Sequence, residues 1–378
     1  MQKVIAKIHL GNIRSNAECF SALTKTRLCA VVKANAYGHG AEEVVNALSG
    51  VADFFAVALI EEGLSIRSVS CGKQILVFTP PTDEEEAYAL AANGFVASVP
   101  DLWTAKLLVR VCQKYRLPLK VHLKVNTGMN RYGMNGSMLG KVCKLLKDDP
   151  FIKVTGIYSH LYGTTLDEAA KQRVLFLRMQ TICKRYFPGV IAHLGATYGA
   201  ILGERYAFDM VRIGIGLYGY LPFKDEKIAR KLALKKGMTV YAKAISSRKY
   251  AFGGAGYGKA EVKKGETLSL FRFGYADGFL RARHNGVDGF EKNANELCMD
   301  ASIQKRSAYR GSWSPILTDA DKIAKRTGTI SYEVLCAATR RAEFVYDDEE
   351  TALCGKRGAN DKGKEGGASG IREETPRG

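Results

Sequence analysis

The sequence predicts a (β/α)8 TIM-type barrel, an eight-stranded parallel sheet wrapped by helices, followed by a mainly-β C-terminal domain. Three observations carry this prediction. Short apolar, β-branched runs alternate with amphipathic helical patterns through the first two hundred or so residues, which is the pattern of a parallel sheet covered by helices. Eight such runs can be counted, the number that closes a parallel barrel. After residue 235 the texture changes to longer strand patterns separated by glycine-rich turns. With 378 residues, 46% hydrophobic and 25% charged, the chain can bury a large core, which excludes disordered, collagenous and disulfide-scaffold classes.

The eight candidate strands are 27–33, 54–59, 74–78, 96–99, 119–125, 153–158, 189–193 and 209–213. Between them, 41–48, 60–69, 83–92, 101–115, 138–148 and 167–185 repeat apolar residues three and four apart, as one face of a helix requires. Segments 237–250 and 266–275 read as strands of the second domain. The predicted domains are 1–235 for the barrel and 236–350 for the β domain. Residues 351–378, a low-complexity mixture of glycine and charge, read as a disordered tail.

The chain carries a net charge of +18, but without a run of five consecutive basic residues, so no nucleic-acid partner is expected. Nine scattered cysteines never form C-x-x-C, which points away from zinc and disulfides and toward a reducing, cytoplasmic compartment. The N-terminus has no signal-peptide core and no stretch of 18 apolar residues occurs, so no membrane partner is expected. No metal is expected.

Ligands of a parallel barrel bind where the strands end, and several polar residues fall there. Lys33 closes the first strand, where a partly desolvated amine is suited to forming a Schiff base; a lysine that merely snorkels into solvent is the plain alternative. The fifth strand runs into Lys124-Val-Asn-Thr-Gly-Met-Asn-Arg131, whose arginine is suited to binding a carboxylate. The sixth ends in Ser159-His160 and the seventh in His193, with Thr197 opening the next helix. The eighth carries Arg212 between Val211 and Ile213, costly to bury without acceptors, followed by a glycine-rich turn that can cradle phosphate.

These residues, in this order, resemble the alanine racemase family, pyridoxal-phosphate enzymes of fold type III. AVVKANAYGHG (30–40) is similar to the family's cofactor-lysine motif. KVNTGMNRYG (124–133), YSHLYGT (158–164), MVRIGIGLYGY (210–220), GAGYG (254–258), FGYADGF (273–279), CMD (298–300) and TISYEVLC (329–336) follow in the family's order. The resemblance implies that Lys33 holds pyridoxal 5′-phosphate covalently. It implies that Tyr37, Thr197, the backbone of Gly214 and Ile215, and Tyr332 hold the phosphate. Arg212 would face the pyridine nitrogen, with His160 bonded behind it. Arg131 would bind the substrate carboxylate or the cofactor's phenolic oxygen, and Lys124 matches a position that is carbamylated in some members. Tyr257 matches a second catalytic base that the partner subunit supplies, together with Tyr275, Met299 and Asp300; a homodimer with shared sites is therefore implied.

Racemisation removes a proton from one face of Cα and delivers one to the other, which requires two bases, here Lys33 and Tyr257. An arginine at the pyridine nitrogen donates a hydrogen bond without giving up its proton. The implied activity is interconversion of L- and D-alanine for cell-wall peptidoglycan. The alternatives are a serine racemase of the glycopeptide-resistance type, which commonly adds a membrane segment, and a non-catalytic pyridoxal-phosphate carrier, which lacks the domain bearing Tyr257. The chain departs from the family at Thr197, where serine is usual, at Asn126 and Ala196, and in 301–320, which lacks the valine-rich strands usual after CMD.

Overall fold

The computed structural model describes residues 4–163, 165–223, 228, 231–250, 252–256, 260–280 and 297–347. The eight predicted barrel strands are present as β2 (Arg27–Val31), β3 (Phe54–Val57), β4 (Gln74–Val77), β5 (Val96–Val99), β6 (Leu119–Lys124), β7 (Ile152–Tyr158), β8 (Ile191–His193) and β9 (Met210–Ile213). All are parallel, in the order β8-β7-β6-β5-β4-β3-β2-β9. Just past β8, a bridge between Ala196 and Arg212 and the bond from Arg212 N–H to the Gly195 carbonyl (3.0 Å) bring the two ends together into a nearly closed barrel. Strands β3 and β5 are buried at every position, as expected when side chains face either the barrel interior or the covering helices. Four of the barrel helices begin where a short polar residue accepts from an exposed backbone N–H group. Asp83, Asp101, Asn135 and Thr165 each do so, at about 1 kcal/mol per cap.

The second sheet runs β14 (Ser302–Gln304), β13 (Thr267–Phe271), β10 (Met238–Lys249), β1 (Val4–Ile8), β16 (Glu343–Tyr346), with β15 (Trp313–Leu317) also on β10, while β11 (Gly254–Ala255) and β12 (Ala260–Glu261) form a separate antiparallel pair. The N-terminal segment, read from the sequence with the barrel, thus belongs to the other sheet. Its alternating burial suits a half-covered sheet, and it pairs antiparallel with β10 and parallel with β16. The 301–320 segment does form strands, β14 and β15, although it contains no valine; they pair with β13 and β10 rather than with each other. The strand expected over 266–275 stops at Phe271. Beyond it Gly274 lies against the Cys298–Met299 backbone, so close that a Cβ would come within 2.2 Å of the Met299 carbonyl oxygen, and a short turn, Tyr275–Asp277, follows. The tail 351–378 lies outside the described residues. Among the described residues, no helix is long and apolar enough to cross a membrane.

Candidate active site

The ends of the barrel strands surround a cavity of about 990 Å³. Ten of the residues singled out from the sequence line it: Lys33, Tyr37, Lys124, Arg131, His160, Thr197, Arg212, Gly214, Ile215 and Tyr332. The last comes from the helix Ser331–Ala338, which the second domain lays against the barrel mouth. Two lysines and two arginines line the cavity and, among the described residues, no aspartate or glutamate does. Such a field favours an anionic ligand.

Lys33 leaves the barrel directly after Val32, and the chain then makes a turn that the sequence did not foreshadow. Ala34, Asn35, Ala36 and Tyr37 all adopt left-handed φ values between 53° and 54°. That conformation costs about 1–2 kcal/mol per non-glycine residue, and local bonds offset it. Ala34 N–H donates to Glu62 Oε1 (2.7 Å), Ala41 N–H to Asn35 Oδ1 (2.8 Å) and Ala36 N–H to the Val32 carbonyl (2.8 Å). Buried His39 reaches back to the Ala36 carbonyl (3.0 Å) and stacks on Tyr218 at 4.4 Å. The turn fixes where the Lys33 stem points and tucks Tyr37 under the mouth. Burial, reinforced by the Arg131 charge, lowers the Lys33 amine from its usual value, so more of it is free base at neutral pH.

Lys124, at the end of β6, is buried and sits 4.8 Å from the centre of the Tyr158 ring. Burial, then Arg212 and Arg131, push its pKa well below the ordinary value. Arg131 rides a loop organised by Asn126, whose Oδ1 accepts from Gly128 N–H (3.0 Å) and Asn130 N–H (3.2 Å) and whose Nδ2 donates to Asn130 Oδ1 (2.8 Å). The unusual asparagine thus builds the loop. The hydroxyl of Thr197, the threonine standing for serine, accepts from Gly216 N–H at 3.3 Å. Gly214 has no room for a side chain, since a Cβ there would fall 2.5 Å from Tyr37 Oη.

Arg212 is 3% exposed, and both of its terminal nitrogens are held by acceptors. Nη1 donates to His193 Nδ1 (3.0 Å) and the His193 carbonyl (3.0 Å); Nη2 donates to the Ser159 (2.7 Å) and Leu194 (3.2 Å) carbonyls. Nε–H makes no hydrogen bond among the described residues, and Arg212 lines the cavity, so this donor is left for a ligand. The imidazole behind Arg212 is therefore that of His193, correcting the assignment of His160. His160 follows β7 and faces the cavity, whereas His193 closes β8, the neighbouring position that reaches the guanidinium. Burial, with nearby Arg212, pushes His160 down to about 3, so it too is neutral.

Sequence reasoning missed Tyr158 and His122. The Tyr158 ring stacks parallel on His193 at 4.9 Å, its hydroxyl is 2.7 Å from Ser98 Oγ, and Arg212 lies 5.3 Å from its centre. His122 was legible only as a polar residue within an apolar strand. Met299, Tyr275 and Asp300 do not line this cavity. Tyr275 N–H donates to the Cys298 carbonyl and Ala276 N–H to that of Met299, both at 3.0 Å, and Arg341 donates to Asp300 at 3.1 Å, so the three share one surface patch. Tyr275 is 38% and Met299 54% exposed. Tyr257 lies outside the described residues.

A nearly closed parallel barrel, with a lysine in a cavity of basic side chains at its strand ends and a mainly-β domain roofing one side, defines a barrel protein whose strand-end cavity favours an anionic ligand. Known proteins narrow this class. Residues 8–222 match the alanine racemase N-terminal domain, and 237–346 match the alanine racemase C-terminal domain. An alanine racemase of Clostridium novyi is 30% identical over 92% of this chain and 96% of its own, and one of Chlorobaculum tepidum is 31% identical over 90% and 94%. Among solved structures, the alanine racemase of Clostridium difficile 630 superposes with a TM-score of 0.81 at 27% identity, covering 92% of this chain and 96% of that one. That of Bartonella henselae, described with covalently bound pyridoxal phosphate, gives 0.79 at 27% identity over 92% and 100%. The chain belongs to the alanine racemase family and is an isomerase.

Proposed function

We propose that this protein interconverts L- and D-alanine with pyridoxal 5′-phosphate as cofactor, working as a cytoplasmic homodimer with shared active sites and supplying D-alanine for peptidoglycan. The observation that carries this reading is the cavity around Lys33, with two lysines, two arginines and no acid among its described lining residues. A phosphate and a substrate carboxylate suit that charge. The cavity is also large enough for a cofactor with a small amino acid, being at the upper end of ordinary ligand sites.

Lys33 would hold the cofactor covalently, with Tyr37, Thr197, Tyr332 and the backbone at Gly214 and Ile215 about its phosphate. Arg212 Nε–H would face the ring nitrogen, His160 would lie against the cofactor, and Arg131 would take the substrate carboxylate with Lys124 beside it. When bound, the cofactor supplies a sink for the electron pair left at Cα on deprotonation. The chain's own residues do the rest. Arg212 offers a hydrogen bond but keeps its proton, because guanidinium is too weak an acid to release it. Lys33, whose burial shifts its amine toward the free base, moves the proton on one face of Cα. Tyr257 of a second copy moves it on the other, with Tyr275, Met299 and Asp300 of that copy lining the approach.

The test is spectroscopic. Purified protein should show a visible cofactor band, borohydride should abolish it, and the reduced label should map to the peptide containing Lys33. A label on any other lysine, or no band after incubation with pyridoxal phosphate, would overturn the assignment. Activity on serine well above that on alanine would select the runner-up substrate.

A further inference from the structure

Behind Arg212 the barrel interior holds two histidines in series. His193 Nδ1 lies 3.0 Å from Arg212 Nη1, and His193 Nε2 lies 2.9 Å from His122 Nδ1. Both imidazoles are fully buried. Arginine only donates, so His193 Nδ1 must be the bare acceptor nitrogen. Neutral His193 therefore carries its proton on Nε2, which makes His122 Nδ1 an acceptor as well. His122 is left with its own proton on Nε2, a buried atom with no hydrogen-bond partner among the described residues. Its ring is seated on Gly156, where a Cβ would come within 2.6 Å of it. An imidazolium at either position would set two N–H groups against each other, and burial opposes it: His122 is held down to about 3 and His193 well below its ordinary value.

We propose that His122, which does not line the cavity, is a positioning residue for Arg212: by accepting from His193 Nε2–H it locks the His193 tautomer that accepts from Arg212, and so fixes where Arg212 Nε–H points. This rests on the reading of Arg212 as the cofactor-facing cation. Without an acceptor at residue 122, the buried His193 N–H is orphaned. Shifting the proton to Nδ1 would only set it against the Arg212 N–H, so the ring finds a new acceptor only by turning, and turning takes its Nδ1 away from Arg212.

The first test needs no substitution. Side-chain nitrogen NMR of the apo-protein should show His122 and His193 neutral with the proton on Nε2; an Nδ1-protonated or charged His193 would overturn the proposal. The second compares His122→Leu, which removes the acceptor, with His122→Asn, whose Oδ1 can replace Nδ1. Leucine should lower kcat roughly 10–100-fold, the usual effect of removing a group that orients a site residue. KM should change little, while the affinity of the apo-protein for pyridoxal phosphate falls and the cofactor band shifts. Asparagine should restore most of each. Unchanged kcat and an unchanged His193 signal in the leucine variant would overturn the proposal, as would equal losses in both variants with the His193 signal unaltered, which would mean packing alone. If neither variant folds, the wild-type tautomers decide. Correct tautomers in a wild-type protein without racemase activity would reject the racemase reading while leaving the relay in place.

Discussion

The barrel mouth and the second domain treat their polar residues in opposite ways. At the mouth, residues from strands far apart in sequence converge on one cavity, and Arg212 and Lys124 are nearly removed from solvent. In the second domain, Tyr275, Met299 and Asp300 are clustered just as firmly, by backbone bonds and Arg341, but on an exposed patch that the cavity of the same chain does not reach. A parallel barrel gathers its strand ends on one face by topology, so a single chain can assemble a binding site there. An antiparallel sheet directs its loops to both ends, so residues gathered at one of them need not face the cavity of their own chain. Under the proposed function, one face of the reaction would be built within the chain and the other would need a second copy.

The sharpest way to break this contrast is at Lys33. On the proposed roles, Lys33→Ala would remove both the cofactor anchor and one base, and racemisation measured from either enantiomer should fall by at least 10²–10⁴-fold, the usual worth of a positioned acid–base group. Retention of more than about a hundredth of the rate would count against a barrel-borne base.

Tyr257→Phe probes the opposite face. The loss of racemisation should again be on the order of 10²–10⁴-fold, with cofactor binding intact. Deuterium exchange at Cα should persist from D-alanine, through Lys33, and collapse from L-alanine. Equal loss from both enantiomers would demote Tyr257 to positioning and make Tyr275 the next candidate.

Dilution should expose the dependence on a second copy more gently. Activity per chain should decline as the protein passes below its dimer dissociation constant, followed in parallel by sedimentation. Full activity in a demonstrably monomeric sample would remove the need for the exposed patch.

The smallest expected effect is on stability and belongs to the barrel alone. Burial holds His39 down to about 4, His122 to about 3 and His193 well below its ordinary value, whereas unfolded histidines titrate near 6.5. Below that pH the unfolded chain binds more protons than the folded one, so stability falls as pH falls, continuing toward the depressed folded values. The slope is at most about 1.4 kcal/mol per pH unit for each imidazole. The Tm of the apo-protein should therefore drop between about pH 7 and pH 5. A Tm that is level or rising over that window would mean these rings are charged or accessible.

How much of this was legible beforehand depends on the range of the interactions involved. The barrel strands were found to within two residues at either end because each is a local apolar run, and the site motifs could be read because they close those runs at the barrel's ligand-binding end. The same local reading missed β1, whose pattern suits either sheet, and it ended the β13 segment too late because the approach of Gly274 to the Met299 backbone is a long-range contact.

The amino-acid sequence by itself determined the barrel, the presence of a second β domain, and the set of lysines, arginines and hydroxyls at the strand ends, because hydrophobic period and the position of a residue after a strand are properties of a few neighbours. Tertiary structure decided which histidine stands behind Arg212, since His160 and His193 occupy comparable strand ends and only their places around the barrel distinguish them. It also decided the left-handed turn after Lys33, which no local preference of alanine or tyrosine favours and which is held by Glu62, Val32 and His39. A proton's location on an imidazole, and a strained turn, follow from partners brought together by folding, and the chain order does not name those partners.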